Sequence, residues 1–145
     1  MNQQIDPRGP RFGAAITTLL AIIGLYLGLE QQPAAAAFTV TLFVLFAWSV
    51  FLPTYHPYAL VFSKLIRPRL KPPSDLEDAR PPRFAQQVGY GFAILGVVGL
   101  LTNVATLSLL SFAFIFAAAY LNWAFDFCLG CQMYLVLKRF GLLGK

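Results

Sequence analysis

All eleven Lys and Arg residues of this 145-residue chain fall in three segments. Arg8 and Arg11 precede the first long apolar run. Lys64, Arg67, Arg69, Lys71, Arg80 and Arg83 share a central segment, and Lys138, Arg139 and Lys145 close the chain. Between these segments run apolar stretches at 12–29, 34–52, 84–103 and 107–127. Each is close to the roughly 20 residues a helix needs to cross a hydrocarbon core about 30 Å thick. Only a helix satisfies its own backbone groups in a single segment there, so the spans are expected to be helical. The connection 30–33 and the turn around 103–106 hold no basic residue. By the positive-inside rule, both termini and the central loop 54–83 are expected on the cytoplasmic side.

The expected fold is therefore all-α: a single membrane domain over 1–145, a bundle of four transmembrane helices. Its composition excludes an ordinary soluble domain, since 58% of residues are apolar and only 12% are charged, against about 25% charged in globular proteins. The net charge of +5 does not point to nucleic acid. The basic residues flank apolar spans, where anionic lipid headgroups meet them. The lipid bilayer is the one partner the residues name directly. The run 12–29 exceeds the apolar region of a secretory signal, so cleavage at Ala34–Ala37 is not expected.

In the central loop, Tyr58 to Arg67 alternates apolar residues with Lys64 and Arg67, the pattern of a short interfacial helix with its apolar side in lipid. Pro68, Pro72 and Pro73 break it. Ser74 with Glu77 fits a capping box for one short turn, which Pro81-Pro82 ends. In the third span Gly89, Gly91, Gly96 and Gly99, and in the fourth Ala117–Ala119, allow close helix approach. Gly89-x-Gly91 is not a dinucleotide loop, because it lies inside an apolar span with no strand before it.

The concentrated chemistry lies at the end of the last span: Asn122, Asp126, Cys128, Gly130 and Cys131. Cysteines at i and i+3 on a helix lie within disulfide reach. The apolar run continues past Cys131, so the helix either tilts strongly or breaks at Gly130 with the tail 132–145 along the interface. If the pair closes a helix, the negative end of its dipole opposes thiolate formation. Asp126 is a costly group at membrane depth. It is either an acid or base for thiol chemistry, or a structural carboxylate paired with a loop Arg or Lys at headgroup depth. Asn122 and Asp126 share a helical face that the cysteines do not, so joint action requires a bend at Gly130. No metal site is expected, since one C-x-x-C supplies two of the four ligands a structural zinc takes. No cofactor is expected either; the single histidine, His56, rules out a bis-histidine haem within one chain, while the residues leave open a single axial ligand from it to a haem or pigment.

Three motifs carry a resemblance. They are Ile5-Asp6-Pro7-Arg8-Gly9-Pro10-Arg11-Phe12, Leu76-Glu77-Asp78-Ala79 with Pro81-Pro82-Arg83-Phe84-Ala85-Gln86, and Phe127-Cys128-Leu129-Gly130-Cys131. Together they resemble a bacterial family of small membrane proteins, domain of unknown function 4395, over nearly the whole chain. The resemblance implies a bacterial cytoplasmic (inner) membrane location. It also implies sulfur or thiol chemistry at Cys128 and Cys131, with a thioredoxin-like or sulfurtransferase protein as partner. The family's pattern places an acid after the second cysteine, where this chain has Gln132, so an acid role is not expected there.

Two functions compete. In the first, Cys128 and Cys131 form a redox pair or sulfur relay, cycling between dithiol and disulfide or carrying a persulfide. In the second, the chain is a non-enzymatic accessory subunit of a larger membrane complex, its cysteines merely buried. A small transporter ranks last, because Thr17, Thr18, Ser49 and Asn122 are too scattered to build a midplane site. The residues leave open whether the protein is an enzyme.

Overall fold

The computed structural model describes residues 4–5, 8–52, 56–69, 77–78, 80–125, 127 and 129–141. In chain order the elements are β1 (Gln4–Ile5), α1 (Arg8–Leu29), α2 (Ala34–Phe51), α3 (Pro57–Val61), β2 (Glu77–Asp78), α4 (Arg80–Thr102), α5 (Ala105–Phe125) and α6 (Leu129–Arg139). Helix α3 runs on into a π turn at Phe62–Ile66 and a 3-10 turn at Arg67–Arg69. The fold is all-α, and β1 and β2 contribute only a two-residue antiparallel ladder. Helices α1, α2, α4 and α5 are each long and apolar enough to cross a membrane.

These four form a closed ring: α1 packs on α2 and α5, and α4 packs on the same two. The pairs α1–α2 and α4–α5 thus lie side by side and antiparallel, as their short connections demand. The centre is small. Ala21, Leu42, Ala93, Phe112 and Ile115 form the buried cluster, while Leu19, Tyr26, Val44, Val98 and Leu101 face outward. In water such a skin would be untenable, but between lipid tails an outward Leu costs nothing. Burial of apolar area cannot by itself drive association there, so close packing and polar contacts between helices must. Both occur: Ser111 Oγ–H donates to Phe92 C=O at 2.7 Å and Ser108 Oγ–H to Gly96 C=O at 3.0 Å. A Cβ on Gly96 would meet Ser111 Oγ at 2.7 Å, and one on Gly24 would enter the Phe112 ring. Gly89 and Gly99 likewise sit against Phe46 and Ser108, but Gly91 faces open space and is not a packing glycine.

The two short turns are built alike. Gln31, at φ 57°, follows α1 in the left-handed region. The Gln32 N–H reaches Leu27 C=O at 2.9 Å and the Gln31 N–H reaches Gly28 C=O at 3.1 Å. These paired bonds are a Schellman cap, followed by Pro33, which cannot continue a helix. Asn103, at φ 58°, does the same after α4, with Val104 N–H on Gly99 C=O at 2.9 Å.

At the opposite end everything else gathers. β1 pairs with β2, which ties the N-terminal segment to the central loop. Arg11 Nη2 donates to Trp123 C=O at 3.0 Å, so the start of α1 closes the end of α5. An arginine on an orphan carbonyl in the last turn satisfies it and offsets the helix dipole. The expected helix at Tyr58–Arg67 is present in α3 and its extensions, although its apolar side is not turned wholly outward. Tyr58 covers Gly13, and the Phe62 ring lies 6.0 Å from that of Phe12, so both pack on α1. Leu60, Val61 and Leu65 remain exposed. The expected capping box lies only in part within the described residues. Glu77 belongs to β2, Ser74 lies outside the described residues, and Pro81-Pro82 open α4 instead of ending a turn. In a first helical turn a proline's missing N–H breaks no hydrogen bond.

Candidate functional site

Helix α5 ends at Phe125, and the Phe127 N–H reaches back to Leu121 C=O at 3.1 Å. Helix α6 then starts at Leu129. The last span therefore breaks before the cysteine motif closes, not at Gly130. Gly130 lies in the first turn of α6 because its missing side chain is needed for packing. A Cβ there would fall 2.5 Å from Ala85 Cβ and 2.6 Å from Ala85 Cα, on the backbone of α4. Helix α6 is thereby held against α4, with Tyr134 beside Phe84 at 5.7 Å between rings. Lys138 and Arg139 occupy its last turn, where positive charge offsets the dipole.

This break reverses one expectation for the cysteines. Cys131 is the third residue of a new helix rather than the end of an old one. Free N–H groups and the positive end of the dipole now favour a thiolate at that position. Cys131 is half-buried and disulfide-bonded, and among the described residues no cysteine is free. The chain's only other cysteine, Cys128, lies outside the described residues, as does Asp126. Joint action of Asp126 and the cysteines is expected to need a bend at Gly130, but Gly130 lies inside α6. Helices α5 and α6 are separate elements, the first ending at Phe125 and the second beginning at Leu129.

Leu129, Gly130 and Met133 of α6 cover a cavity of about 170 Å³ at this end of the bundle. Phe46, Phe92, Phe114 and Ile115 form its apolar wall, and Ala117–Ala119 give it width. Four polar side chains from four helices reach it: Thr17 of α1, Tyr58 of α3, Gln86 of α4 and Asn122 of α5. Thr17 Oγ1 and Tyr58 Oη are 3.3 Å apart, and Ser49 Oγ–H donates to Gln86 Oε1 at 3.0 Å. Burial raises the Tyr58 pKa, against a smaller opposing effect of the Thr17 hydrogen bond, so the phenol stays protonated. Among the described residues, none that lines the space is charged.

Tyr58 is set in place by His56, which is 5% exposed. The His56 Nε2–H donates to Leu45 C=O at 2.9 Å, and His56 Nδ1 accepts the Tyr58 N–H at 3.1 Å. This neutral tautomer uses both ring nitrogens, so neither holds a lone pair for a metal or haem. It also makes His56 the N-cap of α3, with Pro57 at the first helical position. Burial lowers the His56 pKa below 6.5, more than the bond to Leu45 raises it. The sequence singled out Asn122 and the cysteines but not Gln86, Thr17 or Tyr58 as one group. A polar side chain inside an apolar run was their only signal.

Residues 5–139 match the model of a family described as a domain of unknown function (DUF4395), and the chain belongs to that family. No curated protein and no solved structure matches it.

Proposed function

We propose that this member of a family without assigned activity is a membrane thiol-redox protein. Its Cys128–Cys131 pair cycles between disulfide and dithiol at the end of the bundle where the basic segments gather. The observation that carries this reading is the disulfide at Cys131 in the first turn of α6. By the positive-inside rule that end faces the cytoplasm of a bacterial inner membrane. Thiols are kept reduced there, and the disulfides that do occur are mostly transient and catalytic. A helix N-terminus stabilises the thiolate that attacks or leaves during exchange.

In the exchange, a thiolate of a thioredoxin-like or sulfurtransferase partner attacks one sulfur of the pair. The S–S bond breaks, a mixed disulfide forms, and the second partner thiol resolves it. Two electrons and two protons pass to this chain, and the partner leaves as a disulfide. Asp126 is a candidate acid or base for the departing thiol.

The test is thiol mass-tagging in intact cells, with single Ser variants to trap the intermediate. Wild type is expected to divide between oxidised and reduced forms and to shift after a disulfide stress. Cys131→Ser or Cys128→Ser is expected to accumulate a mixed disulfide with a cytosolic thiol protein. A pair that stays fully oxidised under every condition, with nothing trapped by either variant, would sink the proposal. It would leave the accessory-subunit reading in its place.

A further inference from the structure

The cavity beneath α6 has a composition that selects its occupant. Among the described residues that line it none is charged, so an ion or phosphate would lose its hydration without compensation from them. Its wall is mostly aromatic and aliphatic, which suits a ring. Its volume of about 170 Å³ is of the size that takes one six-membered ring, since a cavity of about 150 Å³ binds benzene.

The polar groups define the rest of the ligand. Gln86 has its amide oxygen engaged by Ser49, which leaves its NH₂ group as the free end. Tyr58 is protonated, and Asn122 makes no hydrogen bond to a described residue. These groups can donate from α3, α4 and α5, so the ligand should carry hydrogen-bond acceptors on more than one side of its ring. Phe114 and Ala117 line the cavity and are also exposed on the flank of α5. An apolar tail could leave past these two exposed apolar side chains.

We propose that this cavity binds the ring of a lipid-soluble quinone, which accepts two electrons from the Cys128–Cys131 dithiol. The electron-transfer half rests on the thiol-redox reading above; the binding half does not. Leu129, Gly130 and Met133 line the cavity on the same turns of α6 that carry Cys131. In the net step two S–H bonds break and one S–S bond forms. The two electrons and two protons released convert both quinone carbonyls to hydroxyls, giving the quinol. The half-reactions balance without a further reactant.

The experiment uses the full chain in lipid nanodiscs, titrated with decylubiquinone under anaerobic conditions. Trp48 and Trp123 fluorescence reports binding, and thiol tagging reports the pair. Saturable quenching is expected in wild type and in Cys128→Ser/Cys131→Ser. Asn122→Leu, close in volume, should weaken it about tenfold, and Ala118→Phe should abolish it by filling the space. Each variant's helicity and thermal transition are measured alongside, and Gln86→Leu serves as the second polar variant if Ala118→Phe does not fold. The reduced wild-type pair should be oxidised with one quinone consumed per disulfide formed. Quenching that never saturates, or that all the cavity variants leave unchanged, reflects partition into lipid and overturns the inference. Thiol exchange with a partner but no saturable binding would end the quinone site and spare the redox reading. Saturable binding with a pair that quinone never oxidises would overturn the acceptor role.

Discussion

His56 shows how one side chain can serve as a cap, a brace and a proton-sensitive joint. Its ring holds α3 through Tyr58 N–H and holds α2 through Leu45 C=O. A proton on Nδ1 would face the Tyr58 N–H and remove that acceptor. Because the folded pKa lies below 6.5, the unfolded chain takes up the proton first as pH falls. Stability from this residue is complete above pH 6.5 and is lost as pH drops toward the folded pKa. The thermal transition in detergent should therefore fall between pH 7.5 and 5. His56→Asn keeps an N-cap acceptor that does not titrate, so its transition should lose this slope. As the chain has one histidine, an unchanged slope would assign the effect elsewhere. Gln31 tests the other end of the bundle. Held at φ 57° without the freedom of glycine, it should give about 0.5–1 kcal/mol of stability on Gln31→Gly, read as a higher denaturation midpoint.

Among the elements, α6 depends most on a single position. Gly130→Val puts a branched side chain where Ala85 Cα already stands 2.6 Å from the Cβ position. Backbone cannot yield as a side-chain tip can, so α6 must lift from α4 at a cost of about 1–3 kcal/mol. The expected readout is a lower thermal transition, with faster reduction of the disulfide by an added thiol. Gly91→Ala is the control, since its Cβ meets nothing within 4 Å; a gain of up to about 1 kcal/mol is expected from helix propensity. The spans were legible in the sequence because length and hydropathy alone decide them. The ring order was not, because a lipid-facing surface is as apolar as the interior and the helical period goes silent. Helix α2 illustrates this, with only Thr39 and Leu42 buried in an almost uniformly apolar run. The separation of α6, which starts at Leu129, from α5, which ends at Phe125, was also hidden. Gly130 reads as a stop signal in isolation, whereas its role depends on Ala85, 45 residues away in sequence.

For the whole molecule, the sequence carried the decisive information in its charges rather than its apolar residues. The described Lys and Arg residues lie in segments or helix ends that belong to one end of the bundle. Three independent contacts hold that end together: β1 on β2, Arg11 on Trp123 C=O, and α3 on α1. Since these contacts join both sides of α1, α4 and α5 by their termini, the end cannot be split between two faces of a membrane. The capped turns at Gln31 and Asn103 form the other end and carry no basic residue. Orientation is then a single binary choice, for which the positive-inside rule predicts a cytoplasmic basic end. Single reporter cysteines in the Cys128→Ser/Cys131→Ser background test it directly. Gln32→Cys and Thr106→Cys should react with a membrane-impermeant maleimide in intact cells, whereas Asn2→Cys and Ser74→Cys should react only after lysis. Labelling of Ser74→Cys in intact cells would turn the disulfide outward, into an environment where it could be structural. That single result would remove the argument for a redox cycle while leaving the bundle, its caps and its cavity unchanged.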